Sequence, residues 1–308
     1  MLYRYQSDRS KLLITAAIGD EYFGKWQKNS LPNWTAYADR YGFGIIALRF
    51  SLVGEESHLG WNKFKLVKFL ETETSSEKDL VILDADQILS PLAPDLSGWF
   101  GTSKLGVVPE NYGRFQRLLS YLRRAHLDAT YPLDSYLLRD PNIDLANGQM
   151  NELSSLDFFS AGLIVVPSRE RGELSAFSEY GPKDPASAVD GGGDQIPFLK
   201  YLNGREIQLL PAEWQGIWPQ IMATRYPFLY SSKDLGLAGF ALASALTEFH
   251  CIHFSTTWPE KHFWDVSFEG AWDIMFPELP GGPDFKKYMG SRISPKFYGQ
   301  IQPPSRFF

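Results

Sequence analysis

Apolar positions along the chain fall into short runs set between amphipathic stretches. Leu12 to Ala17 is nearly continuous in apolar residues and has the length of a buried strand. Asp20 is placed to cap a helix beginning near Tyr22, and Pro32 interrupts that helix before Trp34 to Tyr41. Gly42, Phe43 and Gly44 read as a turn, and Ile45 to Leu48 as the next strand. From Trp61 to Leu70 the apolar residues Trp61, Phe64, Leu66, Val67 and Leu70 recur at helical spacing, with lysines between them. Leu80 to Leu83 then reads as a third buried strand. Strand, helix, strand, helix, strand predicts an α/β fold with a mostly parallel central sheet, right-handed crossovers and flanking helices.

The second half is less regular. Gly106 to Val108 suits a strand, and Arg114 to His126 a basic amphipathic helix whose plain reading is a solvated face. Asp140 to Glu152 reads as a polar loop, Phe158 to Val166 is apolar again, Asp194 to Leu202 suits a helix and Ile207 to Leu210 a strand. Gly181 to Gly193, rich in Gly, Pro and Asp, predicts a loop beside something functional or mobile. No repeat or linker divides the 308 residues, so one domain is expected.

Composition narrows the classes. Hydrophobic residues at 44% and charged residues at 21% suit a packed core. The single cysteine, Cys251, excludes an internal disulfide framework and a cysteine-built zinc site. A net charge of −6 leaves no basic field to hold a nucleic-acid backbone. Met1 to Ser10 has no signal-like apolar run, and the longest apolar stretch, Leu235 to Leu246, falls short of the roughly 20 residues of a membrane span. A cytoplasmic protein is therefore expected. The tail from Asp284 to Phe308 mixes basic and aromatic residues. It suits either packing on the domain or a peripheral contact with an anionic membrane. Aromatics at 15% supply core volume or stacking platforms.

The candidate chemistry begins with Asp84, Ala85 and Asp86, directly after the third strand. Ligands of open parallel sheets bind at the carboxyl ends of strands. Two carboxylates so close repel unless a cation lies between them. Hard oxygen ligands suit Mg²⁺ or Mn²⁺, and such a cation suits a diphosphate. The plain alternative is a pair of solvated turn acids. A haloacid-dehalogenase-like phosphatase also uses D-x-D, with Asp84 as nucleophile. It needs a second acidic cluster, and Gly193 and Asp194 are followed by Phe198 where the second acid belongs.

Several segments in order resemble the A-type (GT-A fold) nucleotide-sugar glycosyltransferases, closest to the family-8-like retaining enzymes. The resemblance spans about residues 11 to 264, in islands, and implies a nucleotide-binding half to about residue 110 and a sugar- and acceptor-binding half over 111–308. Thr15, Ala16, Ala17 and the loop to Tyr22 are similar to the family's nucleotide-base loop, and imply that Tyr22 stacks on uracil. Trp61 to Leu66 resembles the segment before the D-x-D strand, and implies that Lys63 reaches the donor. Asp84, Ala85 and Asp86 match the metal motif. Phe158 to Val165 is similar to the strand that lines the donor sugar. There Ser160 replaces the usual Asn, and the small Ala161 and Gly162 would let a ligand approach closely. Asp194 and Gln195, followed by Leu202 and Asn203, resemble the element that grips sugar hydroxyls and lies beside the reacting carbon. Asp194 is equally placed as a helix N-cap. Asp190, four residues earlier, is an alternative acid. His250 to Ser255 with Lys261 to Trp264 resembles the C-terminal signature, which implies a third metal ligand, His253 or else His250, and a diphosphate contact from Lys261.

The resemblance implies a Mn²⁺- or Mg²⁺-dependent transferase. It would move a hexose from a nucleoside diphosphate sugar, UDP-linked in the family, to a carbohydrate, lipid-linked or small-molecule hydroxyl, with retention. An inverting enzyme would need a carboxylate base, for which Asp190 or Glu213 could serve. Trp214, Trp218 and Trp258 are expected to offer ring faces to the acceptor. A non-catalytic carbohydrate-binding relative is the remaining alternative.

Overall fold

The computed structural model describes residues 2–55, 57–73, 77–109, 159–180, 193–230, 234–255 and 259–276. The helix expected over Arg114 to His126, the loop at Asp140, Asp190, Trp258 and the basic-aromatic tail lie outside the described residues.

The main sheet has seven strands. They are β1 (Leu2–Tyr5), β2 (Lys11–Ala16), β3 (Phe43–Leu48), β4 (Asp79–Leu83), β6 (Gly106–Pro109), β7 (Phe159–Val166) and β8 (Gln208–Leu209), in the order β1-β3-β2-β4-β7-β6-β8. β5 (Gln87–Leu89), β9 (Gly216–Ile217) and β10 (Cys251–His253) form a second, three-stranded sheet in the order β5-β10-β9. The expected α/β architecture is present, and β3, β2 and β4 pair in parallel as the strand–helix alternation requires. β1 and β7 are antiparallel to their neighbours β3 and β4, so the parallel region is the centre of a mixed sheet.

Local signals set the elements. α1 (Asp20–Asn29) and α2 (Leu31–Tyr41) part at Ser30, and Pro32 lies in the first turn of α2, where a missing N–H costs nothing. Asp20 falls inside the first turn of α1, not at its cap. The cap is Gly19, whose φ of 89° is a left-handed conformation that glycine tolerates. α3 (Trp61–Glu73) covers one sheet face with α4 (Arg171–Tyr180) and α5 (Gln195–Leu202). α6 (Trp218–Arg225), α7 (Leu235–Ala245) and α8 (Glu269–Met275) belong to the other side.

Because strand side chains alternate, the central strands feed two cores. Leu13, Ile45, Val81, Leu83 and Val165 pack on one face, with Trp26, Trp34 and α6 and α7. Leu12, Ile14, Ile46, Ile82 and Ile164 pack on the other, with Trp61, Phe64, Phe177 and Phe198. The sheet is thus covered on both sides, which leaves the strand ends as the place for a ligand. No helix among the described residues is long and apolar enough to cross a membrane.

Candidate functional site

Three side chains meet at the carboxyl end of β4. Asp84 and Asp86 leave that strand, and β5 follows at once. β5 pairs antiparallel with β10 in a register that sets His253 opposite Gln87. The pairing brings His253 Nε2 to 3.2 Å from Asp86 Oδ1 and 3.6 Å from Asp84 Oδ2. One ligand atom from each of these residues lies within 4.8 Å of the others. His250 points elsewhere: its ring packs edge-on against Trp214, 5.1 Å between centroids. Of the two histidines, it is His253 that faces the acids.

The turn carrying the acids is braced on every side. Asp84 N–H donates to Gly162 O at 2.9 Å, and Phe254 N–H to Asp86 O at 2.9 Å. Ser30 Oγ donates to Ala85 O and receives Trp264 Nε1–H, both at 2.9 Å. Trp34 Nε1–H donates to Gln87 O at 2.9 Å. Such bracing holds both carboxylates in place before any ligand arrives.

The residues fit a divalent cation. Asp86 is 1% exposed, and its Oδ2 has no hydrogen-bond donor. Lys261 Nζ lies 3.6 Å from that oxygen. Burial alone would raise the Asp86 carboxyl, but the His253 and Lys261 charges outweigh it and hold the group well below the usual carboxylate range. Burial likewise pulls His253 down, yet Asp86 and Asp84 raise it above its ordinary value. Two carboxylates and one imidazole, beside a cationic side chain, are a donor set that could hold a divalent cation.

Lys63 forms a second centre. It is 5% exposed, and its ammonium lies 3.0 Å from Asp84 Oδ1, 2.8 Å from Asp194 Oδ2 and 2.7 Å from Ala161 O. Asp194 occupies the N-cap position of α5 but makes no capping hydrogen bond. Its carboxylate turns to Lys63 instead. His58, not anticipated from sequence, stands 3.8 Å from Asp194 Oδ1. A Cβ at Gly193 would collide with its ring, so the glycine before Asp194 makes room for this histidine.

The backbone of β7 serves both centres because its ladder with β6 is broken. The register jumps from Ile164 opposite Val107 to Ser160 opposite Val108, leaving Ala161, Gly162 and Leu163 out of that ladder. Ala161 O accepts from Lys63, and Ala161 N–H donates to Gln195 Oε1 at 3.0 Å. Gln195 Nε2 donates to Phe159 O. The Gln195 amide, expected beside the reacting carbon, is therefore committed to the backbone of β7. Ser160 Oγ accepts from Gly162 N–H at 3.1 Å. Gly162 also has no room for a side chain: a Cβ there would lie 2.9 Å from Gln87 Nε2 and 3.0 Å from His253 Nδ1.

The aromatic expectations divide. Tyr22 does stand at the site, with Lys261 Nζ 4.3 Å from its ring centroid and Trp264 tilted against it at 5.4 Å. Burial first, then Asp86 and Asp84, push its phenol well above the ordinary range. Trp214 and Trp218 are each 0% exposed, which corrects the expectation that they stack on an acceptor. They are core: Trp218 packs among Tyr226, Phe254 and Phe263. Thr15 and Ala17 are also fully buried, and Ala16 alone of that trio is partly open. Glu213 is exposed beside His250.

No family model matches the sequence. No curated protein matches it either. Several solved structures are similar to it at low identity. A glycosyltransferase involved in the glycosylation of the major capsid of PBCV-1 is 8% identical with a TM-score of 0.46, over 83% of this chain and 98% of that one. The glycosyltransferase GlyE of Streptococcus pneumoniae is 11% identical with a TM-score of 0.44, over 87% of this chain and 64% of that one. The galactosyltransferase LgtC, in complex with donor and acceptor sugar analogs, is 13% identical with a TM-score of 0.41, over 91% of this chain and 99% of that one. At that distance the chemistry of the site stands on its own geometry.

Proposed function

We propose that this chain is a metal-dependent glycosyltransferase that moves a hexose from a nucleoside diphosphate sugar, UDP-linked, to an acceptor hydroxyl. One observation carries the reading: Asp84, Asp86 and His253 converge at a strand end, with Lys261 3.6 Å from Asp86. Solvated turn acids would not be buried or bracketed in this way.

In this reading Asp84, Asp86 and His253 hold Mn²⁺, favoured over Mg²⁺ because an imidazole is among the ligands. When bound, the cation supplies Lewis-acid stabilisation of the negative charge that develops on the leaving diphosphate. Lys261 adds a second positive charge on the same side and leaves Asp86 for a phosphate oxygen. Moving away from Asp86 also uncovers the face of Tyr22 on which a base would stack. Ala16 shares the base loop, while Thr15 and Ala17 shape it from below.

Asp194 accepts from sugar hydroxyls while Lys63 holds it in place. Ser160, Ala161 and Gly162 form the floor beneath the sugar. Gln195 fixes that floor. The acceptor is a carbohydrate, lipid-linked or small-molecule hydroxyl.

Thermal-shift titration with UDP, with and without Mn²⁺, tests the reading. Metal-dependent stabilisation is expected in the native chain and should vanish in Asp86→Ala. Slow hydrolysis of one UDP-sugar in a screen would exclude a binding-only role. Absence of metal-dependent stabilisation by any nucleoside diphosphate sinks the proposal. Turnover of an aryl phosphate, lost in Asp84→Asn, would point to a phosphatase instead.

A further inference from the structure

The two nitrogens of His253 face different partners. Nε2 looks toward Asp86 Oδ1 at 3.2 Å. Nδ1 lies 2.7 Å from Gln215 Nε2. Gln215 Oε1 lies 3.4 Å from Gln87 Nε2, which also donates to Gly162 O at 3.0 Å. All of these side chains are buried: Gln87 is 0% exposed, and Gln215 and His253 are each 8% exposed. Neither glutamine was a candidate from sequence.

An amide nitrogen can only donate, so in this arrangement Nδ1 accepts and the proton of the neutral ring sits on Nε2, aimed at Asp86. The donors therefore run one way, from Gln87 through Gln215 and His253 to Asp86. A ring that ligates a cation through Nε2 needs the opposite tautomer. Its proton must sit on Nδ1 and find an acceptor there. Gln215 supplies one if its amide turns, bringing Oε1 to Nδ1. The turned Nε2 then meets Gln87 Nε2, also a donor, so the turn requires Gln87 to shift with it.

The geometry points to Gln215 as a positioning residue that selects the tautomer of His253. One amide orientation serves the acid-paired ring, and the opposite orientation serves the metal-bearing ring. This inference rests on the metal reading above, and Gln215 touches neither substrate nor reacting atoms.

Two readouts on the full chain test it. First, Mn²⁺ alone is titrated calorimetrically into native protein, Gln215→Met and Gln215→Glu. Gln215→Met removes the acceptor and should weaken binding about 10- to 100-fold. Gln215→Glu offers an acceptor without turning and should bind at least as tightly as native. Second, ¹⁵N NMR of the imidazole in metal-free protein, at mildly alkaline pH where the ring is neutral, should place the native proton on Nε2. In Gln215→Glu, Nδ1 should carry a proton. Equal Mn²⁺ affinity in all three proteins, or a native proton already on Nδ1, overturns the inference. Should native protein take up no Mn²⁺, the metal reading falls, and the NMR result still decides whether Gln215 sets the tautomer.

Discussion

The Lys63 ammonium lies 2.8 Å from the Asp194 carboxylate, joining the first turn of α3 to the N-cap of α5. The same ammonium reaches Asp84 at 3.0 Å, so one buried cation separates two acids that would otherwise repel. Burial disfavours its charge, but Asp194 and Asp84 more than compensate and raise its pKa above the ordinary lysine value. Lys63→Met leaves both carboxylates without their counter-charge in a dry setting. It should destabilise the chain by about 3–5 kcal/mol, the cost of breaking a buried pair from one side. Asp194→Asn keeps an acceptor for Lys63 and should cost far less, while still weakening sugar-nucleotide binding. Urea unfolding of both variants checks this, and a native-like midpoint for Lys63→Met would refute the structural role.

Gly162 of β7 packs against the side chains of Gln87 and His253 on the second sheet. A methyl group added there would sit 2.9 Å from Gln87 Nε2 and 3.0 Å from His253 Cε1, both on buried side chains with little room to retreat. Overpacking of this kind costs about 1–3 kcal/mol. Gly162→Ala should therefore push the imidazole off its line to Asp86 and weaken Mn²⁺ binding at least tenfold, with only a modest loss of stability. Calorimetric titration beside a thermal melt separates the two effects. Unchanged Mn²⁺ affinity would show that the ring has freedom the packing denies.

These two sites also show what the sequence could and could not reveal. The first three central strands and α3 were legible because continuous apolar runs and helical spacing report burial directly. Asp84 and Asp86 were legible because acids directly after a buried strand are unusual. β5, β9 and β10 are two or three residues each, too short to carry a period, yet their register is what delivers His253 to the acids. Gln87 and Gln215 gave no signal, since a buried amide looks like any polar residue until its partners are known. Trp214 and Trp218 misled because stacking platforms and core tryptophans have the same composition. Only their 0% exposure tells them apart.

That burial yields a stability prediction in place of a binding one. Trp218 sits among Phe254, Phe263 and Tyr226, with ring centroids between 5.9 and 6.2 Å away. Truncating a buried tryptophan to alanine costs about 3–5 kcal/mol. Trp218→Ala should lower the unfolding free energy by that amount, and Trp218→Phe by much less. Acceptor KM should not rise selectively in the conservative variant. A large KM increase in a fully stable Trp218→Phe protein would restore the ring to the acceptor site.

Lys261 offers the sharpest division between metal and nucleotide. Its ammonium stands 3.6 Å from Asp86 Oδ2 and 4.3 Å from the centroid of the Tyr22 ring. Burial lowers its pKa, and the attraction of Asp86 offsets only part of that. In this position the ammonium competes with a cation for Asp86, yet it is also the positive charge that a diphosphate would meet. The two roles pull in opposite directions when the side chain is removed. Lys261→Ala should bind Mn²⁺ alone at least as tightly as native, because Asp86 loses its competitor. The same variant should bind UDP in the presence of Mn²⁺ about tenfold more weakly or worse, having lost a charge-assisted contact of about 1.5–3 kcal/mol. Paired titrations of Mn²⁺, then of UDP at saturating Mn²⁺, measure both. If the two affinities fall together, Lys261 only supports the acid cluster; if neither moves, it has no part in the site.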